Sequence, residues 1–140
     1  MASIRKEILI GADPEAVWAA VRNVGEAHHL FVGVLSDARL DGDARIVTFA
    51  NGTVVRELIV DVDDRVRRFA YASVGGRVSH HNATIQVFGD EGGGSRVVWM
   101  TDFLPDELRD AIGTLVEQGS EAMRWTLERG GGRDYGTLQP

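Results

Sequence analysis

The stretch VSHHNATIQV, residues 78–87, places two adjacent histidines at the head of an alternating run. Imidazoles titrate near neutral pH and ligate metals, so the pair suggests acid–base chemistry or a metal centre. A metal centre would need His28, His29, His80 and His81 to converge on one point. Neighbours on a strand diverge, and no His-Glu-x-x-His spacing is present. No metal and no cofactor is therefore expected. The chain has no cysteine, which removes disulfides, thiolate nucleophiles and thiolate ligands. The glycine run 92–94 is not followed by Lys-Ser/Thr and reads as a hairpin loop, not a phosphate cradle. Nothing marks an activated serine, so a Ser–His–Asp arrangement cannot be argued.

The histidines can do only what the elements around them permit. GADPEAVWAAVRN opens with Asp13 as N-cap, Pro14 at the first helical position and Glu15 at the positive end of the helix. That predicts a helix from Pro14 to about Asn23, with a short further helical turn over Glu26–Leu30. Residues 3–10 read as a first strand. Six more strands are predicted over 33–40, 44–50, 53–62, 66–74, 79–88 and 95–103. Their separators are turn chemistry, including Asn51-Gly52, Asp63-Asp64 and Gly75-Gly76. Such short connections favour an antiparallel meander. After Pro105 the period becomes helical, with Leu108, Ile112, Leu115, Met123 and Leu127 on one broad face up to Arg129. Residues 1–130 are expected to form a single domain, followed by a flexible tail over 131–140.

Strand parity then sorts the side chains. In 79–88, His81, Ala83 and Ile85 share an apolar face, opposite His80, Asn82 and Thr84. In 66–74, Phe69, Tyr71 and Ser73 share a face. In 95–103, Val97, Trp99, Thr101 and Phe103 form the better inward set. Strand 53–62 is ambiguous, since neither the Val55, Glu57, Ile59, Asp61 face nor the Arg56, Leu58, Val60, Val62 face is clean. His81 is open to three roles: ligand contact, acid–base group, or a half-buried residue bonded to Tyr71 or Glu57.

The stretches IGADPEAVWAAVRN, VVRELIVDVDD, RRFAYASVGG and SRVVWMTDFLP, in this order and spacing, resemble the START and birch-pollen-allergen superfamily of polyketide cyclase/dehydrase and lipid-transport proteins. The resemblance spans about residues 3–129. It implies an α+β helix-grip fold, a seven-stranded curved antiparallel sheet wrapped around a long C-terminal helix, with two short helices after strand 1. It also implies that Glu57, six residues before Asp63-Asp64, is inward, as in the abscisic-acid receptors of that superfamily. On the same register Tyr71 and Ser73 become ligand-lining, and His81 stands where those receptors carry an inward tyrosine. The receptors' gate-loop motifs are absent here, so a hormone-receptor role is not implied. The other reading of Glu57 is a pair with Arg45 or Arg56, or a side chain turned to solvent.

The expected function is binding of a small apolar, aromatic or lipid-like molecule in a cavity between sheet and helix. Glu57, Tyr71, Ser73, His81 and Thr101 are its candidate polar contacts. Phe69, Ala83, Trp99, Leu108, Ile112, Leu115 and Met123 are its candidate walls. The alternative is a cyclase or aromatase in which His81, Tyr71 or Glu57 moves protons. The net charge of −6 argues against a nucleic-acid partner. With neither a leader-like stretch nor a membrane-length apolar run, the expectation is a cytoplasmic protein without stable membrane insertion, as a monomer or homodimer.

Overall fold

The computed structural model describes residues 1–130, so the tail expected over 131–140 lies outside the described residues. Strand β1 (Ala2–Ile10) leads into helix α1 (Pro14–Arg22), and a 3-10 turn (Val24–Glu26) into the short helix α2 (Ala27–Leu30). Strands β2 (Leu35–Asp41), β3 (Ala44–Phe49), β4 (Val54–Asp63), β5 (Arg68–Val74), β6 (His80–Gly89) and β7 (Ser95–Leu104) follow. A second 3-10 turn (Asp106–Leu108) starts the C-terminal helix α3 (Arg109–Gly130), which is 22 residues long. Pro14 takes the first helical position of α1, and the Asp13 carboxylate accepts the Glu15 amide at 3.1 Å. This leaves one fewer orphan donor at that end.

The seven strands form one sheet in the order β1-β7-β6-β5-β4-β3-β2, every neighbouring pair antiparallel. Strands β2 to β7 make a meander, and β1 joins it beside β7. The chain therefore crosses from one edge of the sheet to the other through α1 and α2. The turn after β4 is tied to that crossing. Trp18 Nε1 donates to Asp64 Oδ1 at 2.9 Å, and Arg22 Nε donates to the same oxygen at 2.7 Å.

The ambiguity of β4 has a structural cause. Ile59 faces Tyr71 and Asp61 faces Ala70, which leaves Val60 as the extra residue of a β-bulge. Parity resets there, so the inward residues are Val55, Glu57, Ile59 and then Val62, while Val60 is 63% exposed. No constant two-residue alternation describes such a strand.

Packing along α3 is uneven. Its C-terminal half buries Met123 and Leu127 completely, in a core that also holds Val17, Trp18 and Val21 of α1 and the strand residues Val87 and Val97. The 3-10 turn before the helix seats Leu108 on Ala2 and Phe103, and the N-terminal half of α3 runs beside β1, with Gly113 next to Ile4, while leaving a space over the middle strands of the sheet. Leu115, expected on the buried face, is 40% exposed, since Val116 takes the core-facing position beside it. Among the described residues no helix is long and apolar enough to cross a membrane.

The two glycines inside α3 differ in what surrounds them. A Cβ on Gly113 would meet only Ile4 Cδ1 at 3.6 Å, whereas one on Gly119 would lie 2.9 Å from Trp99 Cη2 and 3.5 Å from Phe31 Cδ1. Gly113→Ala is expected to raise unfolding stability in urea by about 0.5–1 kcal/mol through helix propensity. Gly119→Ala gains the same propensity but must displace the indole, at about 1–3 kcal/mol, and is expected to be the less stable of the two.

Candidate functional site

Where α3 stands away from the sheet, a cavity of about 520 Å³ opens between them. Apolar walls come from Phe31, Val47, Val55, Ile85, Trp99 and Ile112. The floor carries a polar row set by strand register. Arg45 of β3 is directly opposite Glu57 of β4, and Glu57 is directly opposite Ser73 of β5. The paired residues of β5 and β6 end at Tyr71–Ala83, and just beyond them the His81 ring takes over, accepting the Ser73 amide on Nδ1 at 2.9 Å. The row thus runs Arg45, Glu57, Ser73, His81 across four adjacent strands.

Arg45 and Glu57 form a buried ion pair, with side chains 6% and 11% exposed. Arg45 Nε donates to Glu57 Oε1 at 2.8 Å, and its Nη1 donates to the Val24 carbonyl at 3.2 Å. The guanidinium also lies over two rings, 4.9 Å from the centre of Phe69 and 5.2 Å from that of Tyr71. Two burial-disfavoured charges are held by their mutual bond, a backbone carbonyl and aromatic faces.

Tyr71 accepts a hydrogen bond from Trp99 Nε1 at 3.1 Å, which leaves its own proton free to be donated. Burial, reinforced by the Glu57 charge, pushes the phenol well above its ordinary range, so the oxygen keeps that proton. His81 is pushed the other way, mainly by burial, with Glu57 opposing the shift. Because Nδ1 accepts the Ser73 amide, the neutral ring carries its proton on Nε2, toward Thr101 Oγ1 at 3.2 Å. Thr101 in turn donates to the Asn82 carbonyl at 3.2 Å. Protonating Nδ1 would set two N–H groups against each other, so His81 is built to remain neutral.

Nine of the residues singled out from sequence line this space: Glu57, Tyr71, Ser73, His81, Trp99, Thr101, Leu108, Ile112 and Leu115. Phe69, Ala83 and Met123 do not, and their place is corrected here. All three face inward but lie beneath the cavity surface, at 1%, 2% and 0% exposure. Phe69 stacks under Tyr71 with ring centres 5.1 Å apart. Ala83, opposite both Tyr71 and Thr101, is too short to reach past them. Met123 lies one turn beyond Gly119, in the packed half of α3. His81 does not bond Tyr71 or Glu57 as expected of a packed histidine, and its partners are instead Ser73 and Thr101. Glu57 takes the Arg45 pairing considered for it, while Arg56 pairs with Asp41 on the outer face.

Val47 and Phe49 were legible by the same parity within β3. Phe31 carried no periodic signal, since it follows a helix of only four residues.

His80 is exposed and its Nε2 bonds Asn82 Oδ1 at 2.7 Å, outside the cavity. Among the described residues the one group with metal-ligand geometry is Glu26, His28 and His29, with one ligand atom from each inside 4.8 Å. None of the three lines the cavity, and His29 Nδ1 sits 3.2 Å from the Glu26 carboxylate as an ordinary surface pair.

Comparison with known proteins agrees with this architecture. The chain is similar to the XoxI protein of Bacillus cereus, at 22% identity and TM-score 0.81, covering 89% of this chain and 94% of that one. It is similar to a Thermobifida fusca protein at 23% identity and TM-score 0.68, covering 99% and 96%. It is also similar to truncated norcoclaurine synthase of Thalictrum flavum, at 18% identity and TM-score 0.68, covering 89% and 91%. These likenesses establish the helix-grip fold. No curated protein sequence matches the chain. The sequence profile described as polyketide cyclase / dehydrase and lipid transport matches residues 1–133. With that match over nearly its whole length, the chain belongs to the polyketide cyclase / dehydrase and lipid transport family.

Proposed function

We propose that this protein binds a small, largely apolar or aromatic molecule in the space between its sheet and α3. The observation that carries the reading is the cavity itself, about 520 Å³ with mostly apolar walls, a polar row on its floor, and Asn51, Thr53 and Arg77 elsewhere in its lining. That volume falls within the range of small-molecule pockets, and a few fixed polar groups among apolar walls are what orients a ligand. Binding is favoured over proton transfer by the state of two of the three candidate acid–base groups. His81 has its acceptor nitrogen occupied by the Ser73 amide, and Tyr71 holds its proton, so both are suited to donate hydrogen bonds and neither to abstract a proton.

The test is titration with the neutral dye 1-aminoanthracene, read by dye fluorescence and by quenching of tryptophan emission. Val55→Trp fills the space from the sheet side and Leu115→Trp from the helix side. Each is expected to weaken dye binding at least tenfold while the far-ultraviolet circular dichroism stays unchanged. Equal affinity in the parent protein and both variants would remove the internal cavity as the binding site.

A further inference from the structure

The row on the cavity floor defines what the ligand carries, not merely where it sits. Among the described residues, Arg45 uses Nε and Nη1, and Glu57 uses Oε1 alone. The only buried side-chain nitrogen and oxygen atoms without a partner among the described residues belong to His28, Ser120 and Thr126. Arg45 Nη2 and Glu57 Oε2 are therefore not sealed in protein, and both residues line the cavity. Ser73 stands next in register, and Tyr71 offers its proton from the same sheet face.

We propose, resting on the cavity reading above, that the ligand is an uncharged molecule whose buried end pairs a hydrogen-bond acceptor with an adjacent donor, as in a carboxamide, a lactam or an enolised β-dicarbonyl. The acceptor faces Arg45 Nη2 and the Tyr71 hydroxyl, and the donor faces Glu57 Oε2. Charge selects the head group. A carboxylate placed here gains Arg45 but meets Glu57 at comparable range, and an ammonium gains Glu57 but meets Arg45. Either ion also loses its water on entering, with no net charge on the floor to compensate, and the further cation of the lining, Arg77, is exposed and already solvated. A neutral donor–acceptor head satisfies both sides of the pair and unbalances neither. The mostly apolar walls, including Phe31 and Trp99, take the remainder of the molecule.

The experiment compares three probes of nearly the same shape, 2-naphthamide, 2-naphthoate and 2-isopropylnaphthalene, at pH 7.5. Binding is followed by the Ser73 and Gly119 amide resonances, one on each side of the cavity. The parent protein is expected to bind the amide at least tenfold more tightly than the carboxylate. Glu57→Gln leaves the Arg45 charge unbalanced, so the amide-to-carboxylate affinity ratio should fall at least tenfold. The paired change Arg45→Leu with Glu57→Leu keeps the floor neutral and packable, and should lower the ratio of amide to hydrocarbon affinity at least tenfold. Should Glu57→Gln not fold, the paired variant decides alone. Parity of amide and carboxylate in the parent, or ratios unmoved by the variants, would overturn this inference and leave the cavity reading standing. Failure of all three probes to move either resonance would overturn both.

Discussion

Arg45→Ala is expected to destabilise the protein by about 3–5 kcal/mol in urea unfolding, because it strands a buried carboxylate. Glu57 keeps its place on the cavity floor with an 11% exposed side chain, and Arg45 is its only hydrogen-bond partner among the described residues. Truncation also uncaps the Val24 carbonyl and removes the cation lying over Phe69 and Tyr71. The replacement of both members by leucine is the informative contrast. Each charge had to be desolvated to reach this position, and that cost disappears with the pair. The double variant is expected to unfold within about 2 kcal/mol of the parent. A single-variant loss below about 1 kcal/mol would mean that water already screens the pair.

Phe69→Ala is the second large loss, at about 3–5 kcal/mol by the same measurement. The ring is 1% exposed, stacked under Tyr71 at 5.1 Å and beneath the Arg45 guanidinium at 4.9 Å. Removing it takes out apolar contact and withdraws support from two residues of the site at once. Leu115→Ala is the matched control, since that leucine is 40% exposed at the open side and should move stability by less than about 1 kcal/mol. A comparable loss at both positions would show that the cavity is closed in solution.

Much of this arrangement was legible in the residues, and the exceptions have physical reasons. Capping chemistry at Asp13-Pro14 placed α1, because a helix terminus needs local donors satisfied and the local sequence supplies them. Parity separated His81 from His80, because the pairing of β6 with β7 runs through both residues without a bulge and keeps the alternation. It failed in β4, where the inserted Val60 breaks the count, and there the resemblance to a known family placed Glu57 inward. Depth was not legible. Phe69, Ala83 and Met123 face the same interior as Tyr71 and Trp99, and whether a side chain ends in a wall or beneath it depends on neighbours from other strands. Nor could the sequence pair Arg45 with the carbonyl of Val24, a contact between β3 and the turn before α2.

The uneven seating of α3 separates two requirements that most cores combine. The half bearing Met123 and Leu127 holds the helix to the rest of the molecule, whereas the half from Arg109 to Gly119 also bounds the cavity, through Ile112 and Leu115. Substitutions in the first half are tested by folding. Those at cavity-facing positions of the second, such as the 40% exposed Leu115, change the shape of the cavity and cost folding little. A lineage carrying this helix can therefore reshape its cavity by small steps, each leaving a protein that still folds.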